Sequence, residues 1–457
     1  MTFRFSATQL AEWSKGTWNH LPVLPIKGFT TDTRVLQPGE IFVALKTARR
    51  DGHDYLAEAR ARGAAGAIVS RLVDDALPQL LVEEGLHGLQ RIAAAWRRQF
   101  PGKIVGITGS VGKTSTKDLL GTLLGPTAFV TEANLNNTIG VPLMVLKLRA
   151  EEHRFGVIEA GMSLPGELKI SAELLRPDLS IITAVAPVHL EGVGSLAGIA
   201  HEKSQLAAAV VESGKVICPL SLLAWPHFAQ WAKRTIAVQF IGEERVEAVP
   251  AKTVQASLVQ EKAQLVLTVD GESFPINPMS EGLARNAALA IIAAKELGLS
   301  QTQIAKAILQ WKPSAGRGSI HVLGDSIFYL DCYNSSPVSL LDAAKCFHRL
   351  SQADARPRLF VLGGMAELGQ EAKVLHRQCG QQLPLRAGDS VIVWSGEAAS
   401  YLEGITTSGV RKELADSLAA VHRVIESHSG YIFVKGSRSY TLEKALPAPL
   451  QSQISFH

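Results

Sequence analysis

The chain has 457 residues, of which 46% are hydrophobic and 19% charged, with 46 Lys and Arg against 42 Asp and Glu and a formal net charge of +4. Charges this nearly balanced give no nucleic-acid surface and no polybasic membrane patch, and the apolar content excludes a disordered chain. The length leaves room for about three domains, each able to bury its own core.

No stretch approaches the roughly 18 consecutive apolar residues of a membrane span, and Met1 to Leu24 lacks an apolar core with a cleavage site, so a cytoplasmic protein is expected. Cys218, Cys332, Cys346 and Cys379 follow no Cys-x-x-Cys spacing and read as reduced thiols, with no cysteine metal site.

In chain order, residues up to about 97 carry strand patterns at Glu40 to Leu45 and Ala65 to Val69 and a helical one at Asp54 to Arg62, with no nucleotide signal. From Gly102 to about Trp311, apolar runs at Lys103 to Thr108, Phe155 to Glu159, Asp178 to Val185 and Lys215 to Cys218 alternate with amphipathic segments, as in a doubly wound, mainly parallel sheet. Gln255 to Ile276 reads as antiparallel strands turned at Asp270-Gly271, and Leu283 to Leu297 as a helix. Lys312 to Gly316 is the linker candidate, because Pro313 and Gly316 interrupt the helical period. A second α/β set follows, with strands near Ile327 to Leu330, Arg358 to Leu362, Ser390 to Trp394 and Tyr431 to Val434.

Thr108-Gly109-Ser110-Val111-Gly112-Lys113-Thr114-Ser115 lies between the strand pattern ending at Thr108 and the helical run Thr114 to Leu124. Glycines there let backbone N–H groups turn toward phosphate oxygens, Lys113 reaches the outer phosphates and the Thr114 hydroxyl suits Mg2+. The strict phosphate-loop pattern has glycine where this chain has Ile107. Glu159 closes a strand pattern, where a carboxylate emerges beside the loop as a metal ligand or as a solvated strand-end acid. His189 follows another apolar run; a lone histidine is more often packed or at the surface than a ligand. Lys203 lies in a helical stretch where a lysine is ordinarily solvated. The amides of Asn134-Leu135-Asn136-Asn137 suit phosphate, sugar or substrate, or simply a turn. Lys435, Ser437 and Arg438 follow a strand pattern and suit an anion, or a strand-end turn.

Taken together these segments resemble the Mur ligase family across about 400 residues. The matching stretches include Thr31-Asp32-Thr33-Arg34, Asp51-Gly52-His53-Asp54, the phosphate loop through Lys117, Asn134 to Pro142, Glu159-Ala160-Gly161, His189-Leu190-Glu191-Gly192, Lys203, Gly316-Arg317, Asp331 to Asn334, Leu362 to Gly369 and Lys435 to Arg438. The resemblance implies an α/β protein of three domains: a smaller N-terminal α/β domain for a UDP substrate (1–97), a central ATPase-like phosphate-loop domain with a mainly parallel sheet (98–312), and a Rossmann-like C-terminal domain (313–457). It implies an ATP-dependent, monomeric ligase that joins D-alanyl-D-alanine to UDP-N-acetylmuramoyl-tripeptide. A sibling that adds a single amino acid, another member of the wider ligase superfamily, and a nucleotide-binding module without ligase activity are the alternatives. By the same resemblance Lys113, with Gly109 to Ser115, binds ATP phosphates; Thr114 and Glu159 hold one Mg2+ and His189 a second; and Lys203 is carbamylated beside the metals. Asn286, Asp331 and Asn334 serve adenine and ribose, and Arg317 reaches the terminal phosphate. Thr31, Asp32, Thr33 and Arg34 face the UDP moiety, with Asn136, Asn137, Lys435, Ser437 and Arg438 toward substrate. Gly282, Leu283, Leu330 and Gly364 depart from the family pattern.

Overall fold

The computed structural model describes residues 5–187, 190–261, 264–352, 354–394 and 396–454. Three sheets follow one another along the chain. The first holds β1 (Thr17–Trp18), β2 (Gly28–Thr30), β3 (Glu40–Val43), β4 (Gly66–Val69) and β5 (Gln79–Leu81) in the order β1-β5-β4-β3-β2. All its pairs are parallel except β1 with β5. Helix α1 (Gly85–Gln99) starts where the Glu84 carboxylate accepts the Leu86 and His87 N–H groups, at 3.1 and 2.7 Å, satisfying donors that the first turn leaves free. Its apolar side, Leu89, Ile92 and Ala93, packs in one continuous core with Ile41 and Ile68 of the first sheet and Met144, Val145 and Leu168 of the next unit. Residue 97 therefore falls in the last turn of a helix that belongs to both cores.

The central sheet has nine strands: β6 (Lys103–Thr108), β7 (Ala128–Val130), β8 (Phe155–Glu159), β9 (Leu179–Ile182), β10 (Lys215–Pro219), β11 (Thr235–Phe240), β12 (Lys252–Glu261), β13 (Gln264–Val269) and β14 (Glu272–Ile276), in the order β14-β13-β12-β11-β10-β9-β6-β8-β7. Pairing is parallel from β7 to β12, and the antiparallel β12, β13 and β14 extend one edge. Asp270 and Gly271, at φ of 54° and 79°, make the hairpin turn expected there. Helix α2 (Lys113–Leu124) follows the loop after β6, α3 (Leu196–Ala208) precedes β10, and α4 (Glu281–Glu296) lays Ala287, Ala288 and Ile291 into the core shared with Leu119, Leu120 and Leu123 of α2.

The third sheet has β15 (Ser319–Leu323), β16 (Ser326–Asp331), β17 (Arg358–Gly363), β18 (Ser390–Trp394), β19 (Arg411–Ala415) and β20 (Tyr431–Lys435), in the order β15-β16-β20-β17-β18-β19. Only β15 with β16 is antiparallel. Helix α5 (Pro337–Leu350) begins with a capping box between Ser336 and Ser339. The α/β class with several mostly parallel sheets is thus as expected. The strand expected over Asp178 to Val185 is confined to β9, because Thr183 and Ala184 turn toward the phosphate loop: the Thr183 hydroxyl donates to Val111 O at 2.5 Å and Ser110 N donates to Ala184 O at 2.8 Å.

Candidate active site

Strand β6 carries the chain to the carboxyl edge of the central sheet, and the loop 109–112 returns it as α2. At Gly109 an added Cβ would stand 1.9 Å from the Thr183 hydroxyl, and at Gly112 it would stand 2.4 Å from the Asn286 amide nitrogen. Gly112 also holds φ 84°, ψ −5°, the left-handed region that favours glycine. These close approaches explain both glycines. The loop is pinned from beneath as well: the Ser110 hydroxyl donates to Ala186 O at 3.0 Å, and Ala186 N donates back to it at 2.9 Å.

Lys113 Nζ curls back to donate to Gly109 O at 2.8 Å. Burial and the nearby Arg317 cation lower its pKa, while Glu159 and Glu367 act the other way. Glu159, at the end of β8, is 2% exposed; its Oε1 accepts from Asn136 Nδ2 at 2.7 Å, and among the described residues no hydrogen bond reaches Oε2. A buried carboxylate oxygen left in this state is costly unless a cation or donor meets it. Lys203 projects from α3 and is 1% exposed, so the expectation of a solvated lysine fails. Burial first, and the Lys113 cation second, hold its amine well below the ordinary lysine range.

A cleft of about 940 Å³ joins this edge to the third sheet. It is lined by Ser110 to Ser115, Asn136, Asn137 and Glu159 from the central unit with Asn286 of α4, and by Arg317, Asp331, Asn334 and Lys435 from the C-terminal unit. Arg317 rests 3.8 Å over the Tyr333 ring. Lys435 is 1% exposed; it pairs with Asp331 at 2.9 Å and donates to Asn334 O at 2.6 Å, so its charge is engaged inside the protein. Asn137 accepts from the backbone N–H groups of Ile139 and Gly140 at 3.1 and 2.7 Å, fixing a turn.

Other expected site residues lie elsewhere. Ser437 is buried against Ala366 N and Ser335 O, and Arg438 pairs with Glu443; neither lines the cleft. Thr31 to Arg34 sit beyond β2 on the first sheet, where Asp32 accepts from Arg34 Nε at 2.9 Å and from Arg34 N at 3.0 Å. His189 lies outside the described residues. Sequence reasoning missed Thr183, Tyr333 and Asp342. The position of Thr183 at the end of the strand beside β6 was a usable signal, and Tyr333 lay within the matched Asp331 to Asn334 stretch; Asp342 had no signal, because its partners come from distant parts of the chain.

The arrangement gathers two lysines and an arginine opposite a buried acid at a strand-loop-helix turn, which suits an anionic, polyphosphate ligand and its metal ion. The model of the Mur ligase middle domain matches residues 107–294. The UDP-N-acetylmuramoyl-tripeptide--D-alanyl-D-alanine ligase of Escherichia coli is 32% identical over 445 residues, covering 93% of this chain and 94% of that one. The ligase of the same name from Bacillus subtilis is 28% identical, covering 98% of each chain. Among solved structures, MurF from Acinetobacter baumannii superimposes with a TM-score of 0.84 at 27% identity, covering 96% of this chain and 97% of that one. MurF from Thermotoga maritima, solved in complex with ADP, shares the fold with a TM-score of 0.78 at 23% identity, covering 94% and 98%.

Proposed function

The chain belongs to the Mur ligase family, and from that premise we propose that it joins D-alanyl-D-alanine to UDP-N-acetylmuramoyl-tripeptide, with ATP converted to ADP and phosphate, in the cytoplasmic synthesis of peptidoglycan precursors. Its near full-length similarity to ligases of that name carries the choice of acceptor.

A carboxylate does not accept an amine at neutral pH. In this reading a carboxylate oxygen of the tripeptide takes the outer phosphoryl group of ATP, releasing ADP; the amine then attacks the acyl carbon, loses a proton, and phosphate leaves. Negative charge gathers at the phosphoryl oxygens, so cations fixed in advance lower the barrier. Lys113 and the amides of Gly109 to Ser115 hold the phosphates, and Arg317 approaches them from the C-terminal unit. Asn286, Asp331 and Asn334 face the nucleoside. Thr31, Asp32, Thr33 and Arg34 bind the UDP portion, while Asn136, Asn137, Lys435, Ser437 and Arg438 order the substrate side directly or through the turns they hold.

Mg2+ fits this site on the ground that Glu159 Oε2, beside the phosphate loop, is buried without a hydrogen bond among the described residues. Thr114 and Glu159 would hold one ion, and His189 with modified Lys203 would serve a second; bound there, Mg2+ neutralises phosphate charge. Lys203 fits carbamylation because burial lowers its amine pKa and so favours the neutral form, the form that attacks CO2. The new N–C bond, with loss of one proton from the neutral amine, turns the buried amine into an anion next to Lys113.

The test is release of phosphate with UDP-N-acetylmuramoyl-tripeptide and each candidate amine. Turnover is expected with D-alanyl-D-alanine. Turnover with a single amino acid and a shorter UDP-muramoyl peptide, and none with this pair, would move the chain to a sibling activity.

A further inference from the structure

We infer that Asp342 is a positioning residue for this reaction: from α5 it latches the C-terminal unit onto the first turn of α4, and so fixes where Arg317 stands over the phosphate loop. The inference rests on the ligase reading above.

The first turn of a helix has backbone N–H groups with no acceptor inside the helix. In α4 the Ser280 hydroxyl oxygen accepts from Leu283 N at 3.2 Å, and Gly282 N donates across the cleft to Asp342 Oδ1 at 3.0 Å. A Cβ on residue 282 would stand 2.5 Å from Asp342 Oδ2, so the carboxylate reaches the helix because residue 282 has no side chain.

Four residues later, on the same face of α4, Asn286 lies against Gly112 of the phosphate loop. One helix face therefore touches the loop at one turn and the C-terminal unit at the turn before it. A second tie lies in the linker, where the Ser314 hydroxyl donates to Asp118 Oδ2 of α2 at 2.5 Å. Arg317, Asp331 and Asn334 all come from the chain between Ser314 and Asp342. The two ties thus bracket the stretch that carries Arg317, Asp331 and Asn334 into the cleft, and loss of one of them lets that stretch shift relative to Lys113. Displacements of about 1 Å at such a site cost on the order of 100-fold in rate.

The test uses the full-length protein in the phosphate-release assay together with small-angle X-ray scattering in saturating ADP. Asp342→Ala should lower kcat at least tenfold and scatter as a more extended particle, whereas Asp342→Asn, which keeps an acceptor oxygen, should recover most of kcat. Gly282→Ala meets the latch from the other side: alanine is the better helix former, so the unfolding midpoint should not fall, yet kcat should drop as in Asp342→Ala. The double variant should be no worse than the poorer single one, since both remove the same contact. Wild-type kcat in Asp342→Ala, equal losses in Asp342→Asn and Asp342→Ala, or losses that multiply in the double variant would each overturn the latch. If the wild type fails to turn over these substrates, the ligase reading falls, and the scattering comparison still decides the latch.

Discussion

Replacing Gly112 by alanine separates backbone strain from damage to the phosphate loop, because Gly166 supplies a matched control. Gly112 sits at φ 84°, ψ −5° and Gly166 at φ 85°, ψ −18°, each immediately before a helix. An alanine in the left-handed region costs about 1–2 kcal/mol at either site. The surroundings differ: a Cβ at 166 meets nothing within 4 Å, whereas at 112 it stands 2.4 Å from Asn286 Nδ2 and 2.7 Å from Oδ1. Those distances are well inside van der Waals contact, so the Asn286 amide, the loop or both must give way. Loop amides that lose their aim act as lost donors, and one such donor is worth roughly 100- to 1000-fold in rate. Gly166→Ala should therefore lose about 1–2 kcal/mol in urea unfolding and Gly112→Ala at least that much, while only Gly112→Ala should lose phosphate release, by at least about 100-fold. A Gly112→Ala enzyme within a few-fold of Gly166→Ala would refute the reasoning, and with it the claim that the loop's shape matters for turnover.

Lys113→Ala should cut kcat by more than about 100-fold in a chain that still folds, since the side chain supplies charge to the cleft; normal turnover in the folded variant would remove the phosphate-loop assignment. Lys203→Ala should lose most activity and regain part of it with acetate or bicarbonate, and an unmodified lysine in the mass of the active protein would count against the carbamate. Because the folded-state pKa of Lys203 is depressed, an unmodified Lys203 binds fewer protons folded than unfolded between that value and 10.5, so stability should rise with pH through that window and the slope should lessen in Lys203→Met. All four cysteines are buried, and burial pushes Cys218 and Cys332 up to about 12 and Cys346 and Cys379 up to about 11. A thiol reagent at pH 8 should find none in the native protein and four after denaturation.

Where the apolar pattern was long and ended in chemistry, the sequence was sufficient: β6, the loop and the start of β8 stand within a residue of their expected places, because buried parallel strands read as continuous apolar runs. Strands of two or three residues, such as β1, β5 and β7, are too short to show a period, and they exist because neighbours pair with them. Helix α1 passed unrecognised although Glu84 offered a cap signal. Lys203 marks a harder limit. A charged residue in a helical stretch reads as solvated, and its burial follows from the packing of α3 beneath the phosphate loop. The same holds for Gly282 and Asp342, which are 60 residues apart and meet only once α4 and α5 are docked.

The placement of Arg317 on the face of Tyr333 has a consequence for how its charge can be used. A guanidinium held by a carboxylate is already neutralised, and an incoming anion must compete with that partner. A ring face attracts the cation through its quadrupole, by about 0.5–2 kcal/mol, and leaves the N–H edge free of a rival negative charge. It also removes rotamer freedom that a long side chain would otherwise lose on meeting its ligand, a loss on the order of 0.5–1.5 kcal/mol. Tyr333 therefore acts as a rest that keeps Arg317 ordered, and replacing the ring with an aliphatic side chain would leave the cation present but searching.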